Sequence, residues 1–325
     1  MRKLLLSSTA LASAAVLTAN IAVADVSISA ATEWTYLSTS SNVTTLDGTT
    51  FGNDSEIHFK FSNKTDSGLD IGYNVQMLSD GAEGGIDESS LSISGGFGKI
   101  VLGNLDGVGA NYAMEAEDMV AEESAPTLAS ATIAVDTDIS ISQNDNNKVS
   151  YHLPAMGGFT AGASMEDSGA EGSSDVTAYG FKYTIEAAGN TITLGGATAT
   201  QEVATKDTDH QNLAVKVVSG NLSFIAAQSS IEAVDEDINS TGAGVSYKMA
   251  NGMVLGAYTM KSEDDLDAGE EFSKSGVEVQ YTIAAGLTAV INVDDYDYKI
   301  GTNNDSADTV ADSGTMSKLT LKASF

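Results

Sequence analysis

Five carboxylates crowd one short stretch of the chain: Glu115, Glu117, Asp118, Glu122 and Glu123, set among Ala and Met. Acidic side chains at this spacing suit three chemistries: hydrolytic acid–base work, oxygen-donor metal binding, or a fixed negative field acting on passing solutes. Hydrolysis needs a partner constellation, and the chain offers only His58, His152 and His210, with no Cys. His58 lies near Glu56 and Lys60, and His152 near Ser150, but alternation along a strand brings such residues to one face without any catalytic purpose. No G-x-S-x-G, P-loop or zinc spacing occurs, so the residues do not read as an enzyme. The Asp-rich stretches around Glu263 to Asp267 and Asp294 to Asp297 raise an exported calcium-binding adhesive β protein as a rival. Neither an EF-hand pattern nor a G-G-x-G-x-D repeat accompanies them. No cofactor is required on this reading, and Ca2+ is expected only as an opportunistic bridge between loop carboxylates.

A fixed field needs opposing charge, and the bases are placed with a period. Lys60, Lys182, Lys216, Lys248, Lys274, Lys318 and Lys322 fall at lumen parity, and Lys148 alternates away from Val149, Tyr151 and Leu153. The elements that carry them are strands. In the last eleven residues Leu319, Leu321, Ala323 and Phe325 share one face and Lys318, Thr320, Lys322 and Ser324 the other. The same period-2 pattern runs through Ile57, Phe59 and Phe61, through Leu69 to Met77, through Tyr179 to Ile185, and through Val277 to Ile283.

Connections alternate between short and long. Tight turns are expected at Asn63–Gly68, Gly95–Gly98, Pro154–Gly158, Glu186–Gly189, Ser219–Asn221, Ala250–Gly252 and Ala284–Gly286. Long polar segments are expected near 37–54, 79–88, 106–147, 166–175, 201–209, 230–238, 261–271 and 294–313. Seven turns and eight long loops join about 16 strands. A soluble sandwich has no reason to place every long loop at one end, whereas a transmembrane antiparallel β-barrel does, with strands of about 9–11 residues. In hydrocarbon every backbone N–H and C=O must be paired, so the sheet has to close.

The composition fits an exported chain. Of 325 residues, 45 are acidic and 15 basic, a formal charge of −30, which argues against nucleic acid as a partner. Arg2 and Lys3, the apolar run Leu4 to Leu17, and Ala22-Val23-Ala24 read as a signal peptide over 1–24, leaving 25–325 as a single barrel. Its removal takes Arg2 and Lys3 and no acid, which moves the charge from −30 to −32 and leaves no Arg. The eight long segments hold 38 of the 45 acids and, of the lysines, only Lys206, Lys261 and Lys299, so an acidic outer mouth over a basic wall is expected.

The 106–147 segment is too long to be a simple connection. Folded inward, its five carboxylates narrow the lumen and face wall bases, for which His58 and Lys60 on the second strand and Lys318 and Lys322 on the last are the candidates. Opposed charge rows create a transverse field that selects ions and orients dipolar solutes. Trp34, Tyr36, Tyr296 and Tyr298, near the outer strand ends, read as an interfacial girdle rather than a sugar track. With few aromatics at lumen positions, non-specific passage is favoured over a substrate-selective nutrient channel, the alternative within the same fold.

The stretch FKFSNKTDSGLDIGY, from Phe59 to Tyr73, and LSISGGFGKIVLGNLD, from Leu91 to Asp106, resemble the trimeric general-diffusion porins of Gram-negative outer membranes, in particular the alphaproteobacterial type. The start DVSISA at Asp25 and the final Phe325 fit as well. The resemblance implies a water-filled 16-stranded barrel, a homotrimer in outer-membrane lipid, and passive diffusion of small hydrophilic solutes and cations past an eyelet shaped by the third loop. It also implies that Phe325 serves as a signal to the outer-membrane assembly machinery. That family often sets an Arg cluster opposite its acidic loop; here only Lys can supply that charge, without the planar guanidinium stack. With acids in excess, cation preference is expected.

Overall fold

The computed structural model describes residues 25–79, 85–128, 140–142, 146–167, 173–203, 205–301 and 310–325. The expected signal segment 1–24 lies outside them, as do parts of the 106–147 connection. The strands are β1 Asp25–Ser41, β2 Gly48–Lys64, β3 Asp70–Leu78, β4 Ile86–Gly95, β5 Gly98–Asn104, β6 Asn147–His152, β7 Phe159–Glu166 and β8 Ser173–Ala187. They continue as β9 Asn190–Val203, β10 Thr208–Ser219, β11 Leu222–Glu232, β12 Asp237–Lys248, β13 Val254–Asp264, β14 Glu271–Ala284, β15 Leu287–Lys299 and β16 Asp312–Ser324. Each pairs antiparallel with its sequence neighbour, and β16 closes on β1 in a register that sets Trp34 against Leu321. Closure leaves no strand edge unpaired, the condition for crossing a bilayer with strands.

The period-2 code is read inside out relative to a soluble protein. Ile28, Phe61, Val215, Val277, Ile291 and Leu319 face outward and are exposed, whereas Ala178, Ala214, Val290, Asn292 and Thr320 face inward and are buried. A water-soluble surface carrying so many large apolar side chains would aggregate. Facing lipid, they are the outer wall. The seven turns fall where Gly, Asn and Pro predict them. At the β8–β9 turn Ala188 (φ 52°) and Gly189 (φ 80°) both take the left-handed conformation, as a two-residue type I′ hairpin requires.

Two expectations need correction. Several segments read as loops are strand: β1 runs to Ser41 and β2 resumes at Gly48, and β15 runs to Lys299. Polar residues such as Ser273, Ser275, Asp295 and Asp297 extend the antiparallel ladder beyond the apolar belt, since backbone pairing does not need apolar side chains. Tyr296 and Tyr298 are not girdle residues. With Ile291 and Val293 facing out, alternation turns both tyrosines inward, where they are 4% and 1% exposed and donate to Asp312 and Glu270. Trp34 and Tyr36 do face outward, exposed beside Phe51.

Candidate functional site: a loop bonded inside the barrel

The connection between β5 and β6 does not stay at the rim. It enters the barrel as a short helix, α1 (Val108–Tyr112), followed by a 3-10 turn at Ala116–Met119. At its entry the Val108 N–H donates to Ser164 Oγ (2.9 Å) and Gly107 N–H to the Ser142 carbonyl (2.7 Å). Val108 and Tyr112 then pack on the inward faces of β8 and β9 through Val176, Ala178, Ala197 and Ala199. Asn212 on β10 brackets the next residue, accepting from Met114 N–H at 3.2 Å and donating to its carbonyl at 3.0 Å. Farther along, Met114 and Met119 bury against Ala214, Ile225 and Ala227.

Glycine makes this close approach feasible. A Cβ on Gly180 would overlap Tyr112, one on Gly244 the Ala116 carbonyl, and one on Gly256 would stand 2.6 Å from the Met119 carbonyl. Glycine inside a strand weakens it, and here the loop backbone occupies the space left free.

Beyond Val120 the contacts become electrostatic. The Glu278 carboxylate of β14 accepts the N–H groups of Ala121 (2.8 Å) and Glu122 (2.7 Å), and Asp294 of β15 accepts from Ser124 N–H (2.9 Å) and the Tyr258 hydroxyl (2.9 Å). Lys274 lies 3.4 Å from Glu117 and 2.6 Å from Glu123. Lys318 lies 2.5 Å from Glu122 and donates to the Glu123 carbonyl at 3.0 Å. Lys322 pairs with Glu122 and with Glu33 of β1, and donates to the Ala121 carbonyl at 3.1 Å. Burial by itself would raise the pKa of Glu122; hydrogen bonds and charge from Lys318 and Lys322 outweigh it and hold the carboxyl below its ordinary value.

All five sequence-selected carboxylates line one cavity of about 230 Å³ on the loop. Their roles divide. Glu117, Glu122 and Glu123 pair with wall lysines, whereas Glu115 and Asp118 close a capping box around the 3-10 turn. Lys318 and Lys322 therefore bond the loop directly instead of facing it across the lumen. The reason is geometric: the loop runs along the wall as far as β16. His58 and Lys60 stand on a separate stretch of wall. His58 Nε2 lies 3.1 Å from Glu56 Oε2, and Lys60 is exposed with no ion pair among the described residues. The sequence pattern did not single out Glu278 or Asn212, and Asp294 entered only as part of an Asp-rich stretch. A carboxylate at Glu278 between Val277 and Val279, in the middle of a membrane strand, was the available signal. Among the described residues no three acidic or His side chains are grouped to hold a metal ion.

A closed barrel with one connection bonded along its inner wall defines a β-barrel channel. A family model described as Gram-negative porin matches residues 8–303, and the chain belongs to that family. It is thereby an outer-membrane diffusion channel and not an enzyme. Solved structures with the same fold include an anion-selective porin from Comamonas acidovorans, 16% identical, covering 93% of this chain and 100% of that one with a TM-score of 0.66. OmpT of Vibrio cholerae, in a trimer form, is 14% identical, with coverage of 93% and 99% and a TM-score of 0.67. A mutant of the Rh. blastica porin is 14% identical, with coverage of 93% and 100% and a TM-score of 0.66. No curated protein matches the chain in sequence.

Proposed function

We propose that the chain is a general-diffusion porin, a homotrimer that passes small hydrophilic solutes and prefers cations, with the 106–147 loop as its constriction. The observation that carries this reading is the bonded path of the loop inside the barrel, from Ser164 on β7 to Lys322 on β16. Cation preference follows from the surplus of acid near the long-loop end, where Lys206, Lys261 and Lys299 are each already paired with carboxylates. The anion selectivity of the Comamonas protein belongs to that protein, and at 16% identity the shared barrel carries no selectivity with it. The lumen positions are mainly Ser, Thr, Asn, Gly and Lys, which favours non-specific passage over a dedicated nutrient track. Export through a cleaved 1–24 segment, and recognition of Phe325 by the outer-membrane assembly machinery, complete the proposal.

Planar-bilayer recording of the purified, heat-modifiable protein tests it. Stepwise openings that close in threes, with a salt-gradient reversal potential on the cation side, are expected. A folded sample without conductance overturns the channel reading; a clear anion reversal potential overturns the ion preference alone.

A further inference from the structure

The wall lysines fall into two sets. Lys148, Lys274, Lys318 and Lys322 each have a carboxylate within ion-pair distance. Lys60, Lys99, Lys182, Lys216 and Lys248 form no ion pair among the described residues; Lys182 donates only to the Asn111 carbonyl, at 3.0 Å. All five alternate with outward-facing apolar residues: Lys60 with Phe61, Lys99 with Ile100, Lys182 with Tyr183, Lys216 with Val215 and Lys248 with Tyr247. Their side chains therefore belong to the lumen.

They also share a height. Lys248 is the last residue of β12 and Lys99 the second of β5, whereas Lys216, Lys60 and Lys182 stand only three, four and five residues before the ends of β10, β2 and β8. Each of those strand ends meets a short turn. A tilted strand climbs about 2.5 Å per residue, which places all five within about 15 Å of the short-turn rim. At that rim Lys64 is paired with Asp70, and the exposed acids without a Lys partner among the described residues, Asp25, Asp66 and Glu186, are outnumbered by these five lysines; at the opposite, long-loop end the balance is reversed. Each described lysine there is paired, and Asp54 and Glu56 carry charge without a Lys partner among the described residues.

We infer that the pore is bipolar along its axis: its periplasmic half, governed by Lys60, Lys99, Lys182, Lys216 and Lys248, attracts small polyanions, while the loop and outer vestibule attract cations. This rests on the channel reading above and adds specificity-determining residues to it. Fixed charge of opposite sign at the two ends has an electrical consequence. A voltage that drives cations in from the acidic end and anions in from the basic end fills the lumen with both, and the opposite voltage empties it. The channel therefore rectifies. The effect depends on screening, since the Debye length is about 10 Å at 0.1 M salt and about 3 Å at 1 M.

Recording single trimers in symmetric KCl, with inorganic tripolyphosphate added to one side and then the other, tests the inference whichever way a trimer inserts into the bilayer. At 0.1 M the currents at the two polarities are expected to differ by about twofold, falling towards equality at 1 M. Tripolyphosphate is expected to block from one side only, and the larger current to flow at the polarity that drives anions in from that side. The variant K60Q/K99Q/K216Q/K248Q is expected to lose both effects, and K216Q/K248Q to lose part of each. A linear current–voltage relation in the unaltered protein at low salt, block from the wrong side, or rectification that survives the fourfold change overturns the inference and leaves the porin standing. A folded trimer that never conducts overturns both.

Discussion

The inner wall of this barrel is built in two ways. Along β8–β16 it carries a loop, and its inward positions are small, as at Gly180, Gly195, Gly242, Gly244 and Gly256, or hold groups that bond the loop, as at Asn212, Lys274, Glu278 and Asp294. Along β2–β4 none of the described loop residues is bonded to the wall, and the same parity is filled by Lys60, His58, Asn74, Gln76, Ser90 and Ser92. Both stretches obey one alternation and present apolar residues to the outside. What differs is the partner of the inward side chain. Against a loop backbone a buried polar group must be matched, because an unmatched charge in a low-dielectric site is costly; against water it need not be. The covered wall should therefore be sensitive to single substitutions, and the bare wall tolerant.

The sharpest contrast is Lys274→Met against Lys60→Met. Lys274 is 2% exposed and pairs with Glu117, itself 6% exposed, and with Glu123. Removing one partner of a buried pair leaves an uncompensated charge and costs about 3–5 kcal/mol. Lys60 has no carboxylate partner among the described residues, and an exposed substitution of this kind stays within about 0.5 kcal/mol. Thermal unfolding in detergent compares the two. Equal losses would break the distinction between the walls.

Much of the barrel is legible in the sequence for a physical reason: a lipid-facing strand has one constraint, alternation, and hairpin turns announce themselves with Gly and Asn. Where the outward face turns polar the constraint lapses, which is why Asp295 to Asp297 read as loop although they pair with Ser273 to Ser275 as strand. The tyrosines at 296 and 298 show the same weakness, since an aromatic near a strand end suits either face and only the register with Ile291 assigns it. Charge composition pointed to the acidic loop but not to its direction. The path over Gly180, Gly244 and Gly256 depends on which inward positions neighbour one another across strands, and that information lies in the register rather than along the chain.

A smaller effect separates the walls by pH. Glu122 is held below its ordinary value of 4.5 by Lys318 and Lys322, against a burial effect of opposite sign. A carboxylate with a depressed folded pKa stabilises the docked loop fully above its unfolded pKa and loses that contribution as pH falls through the folded one. The Glu122 contribution to loop docking is thus expected to be constant above the ordinary value of 4.5 and to fade as pH falls below it. Single-channel noise and conductance recorded down to about pH 3 read this out. Glu122→Gln should remove the acid step, and a wild-type step centred near neutrality would show that another group controls the loop.

The smallest effect compares one close side-chain pair from each wall. Glu56 and His58 lie 3.1 Å apart, and with side chains 25% and 23% exposed they remain in contact with water. Glu122, at 6% exposed, meets Lys318 at 2.5 Å beneath the loop. Pairs that keep solvent are worth about 0–1 kcal/mol because water screens the attraction and the side chains lose freedom in forming it. A double-mutant cycle with Glu56→Gln and His58→Ala should return a coupling in that range, whereas Glu122→Gln with Lys318→Met should couple by more, since either single change leaves a charge without its partner. The cycle is the right instrument because it cancels whatever each substitution does to the free chain. A bare-wall coupling as large as that under the loop would mean that the lumen beside β2 is drier than its exposure implies, and that the two walls differ in sequence but not in solvent.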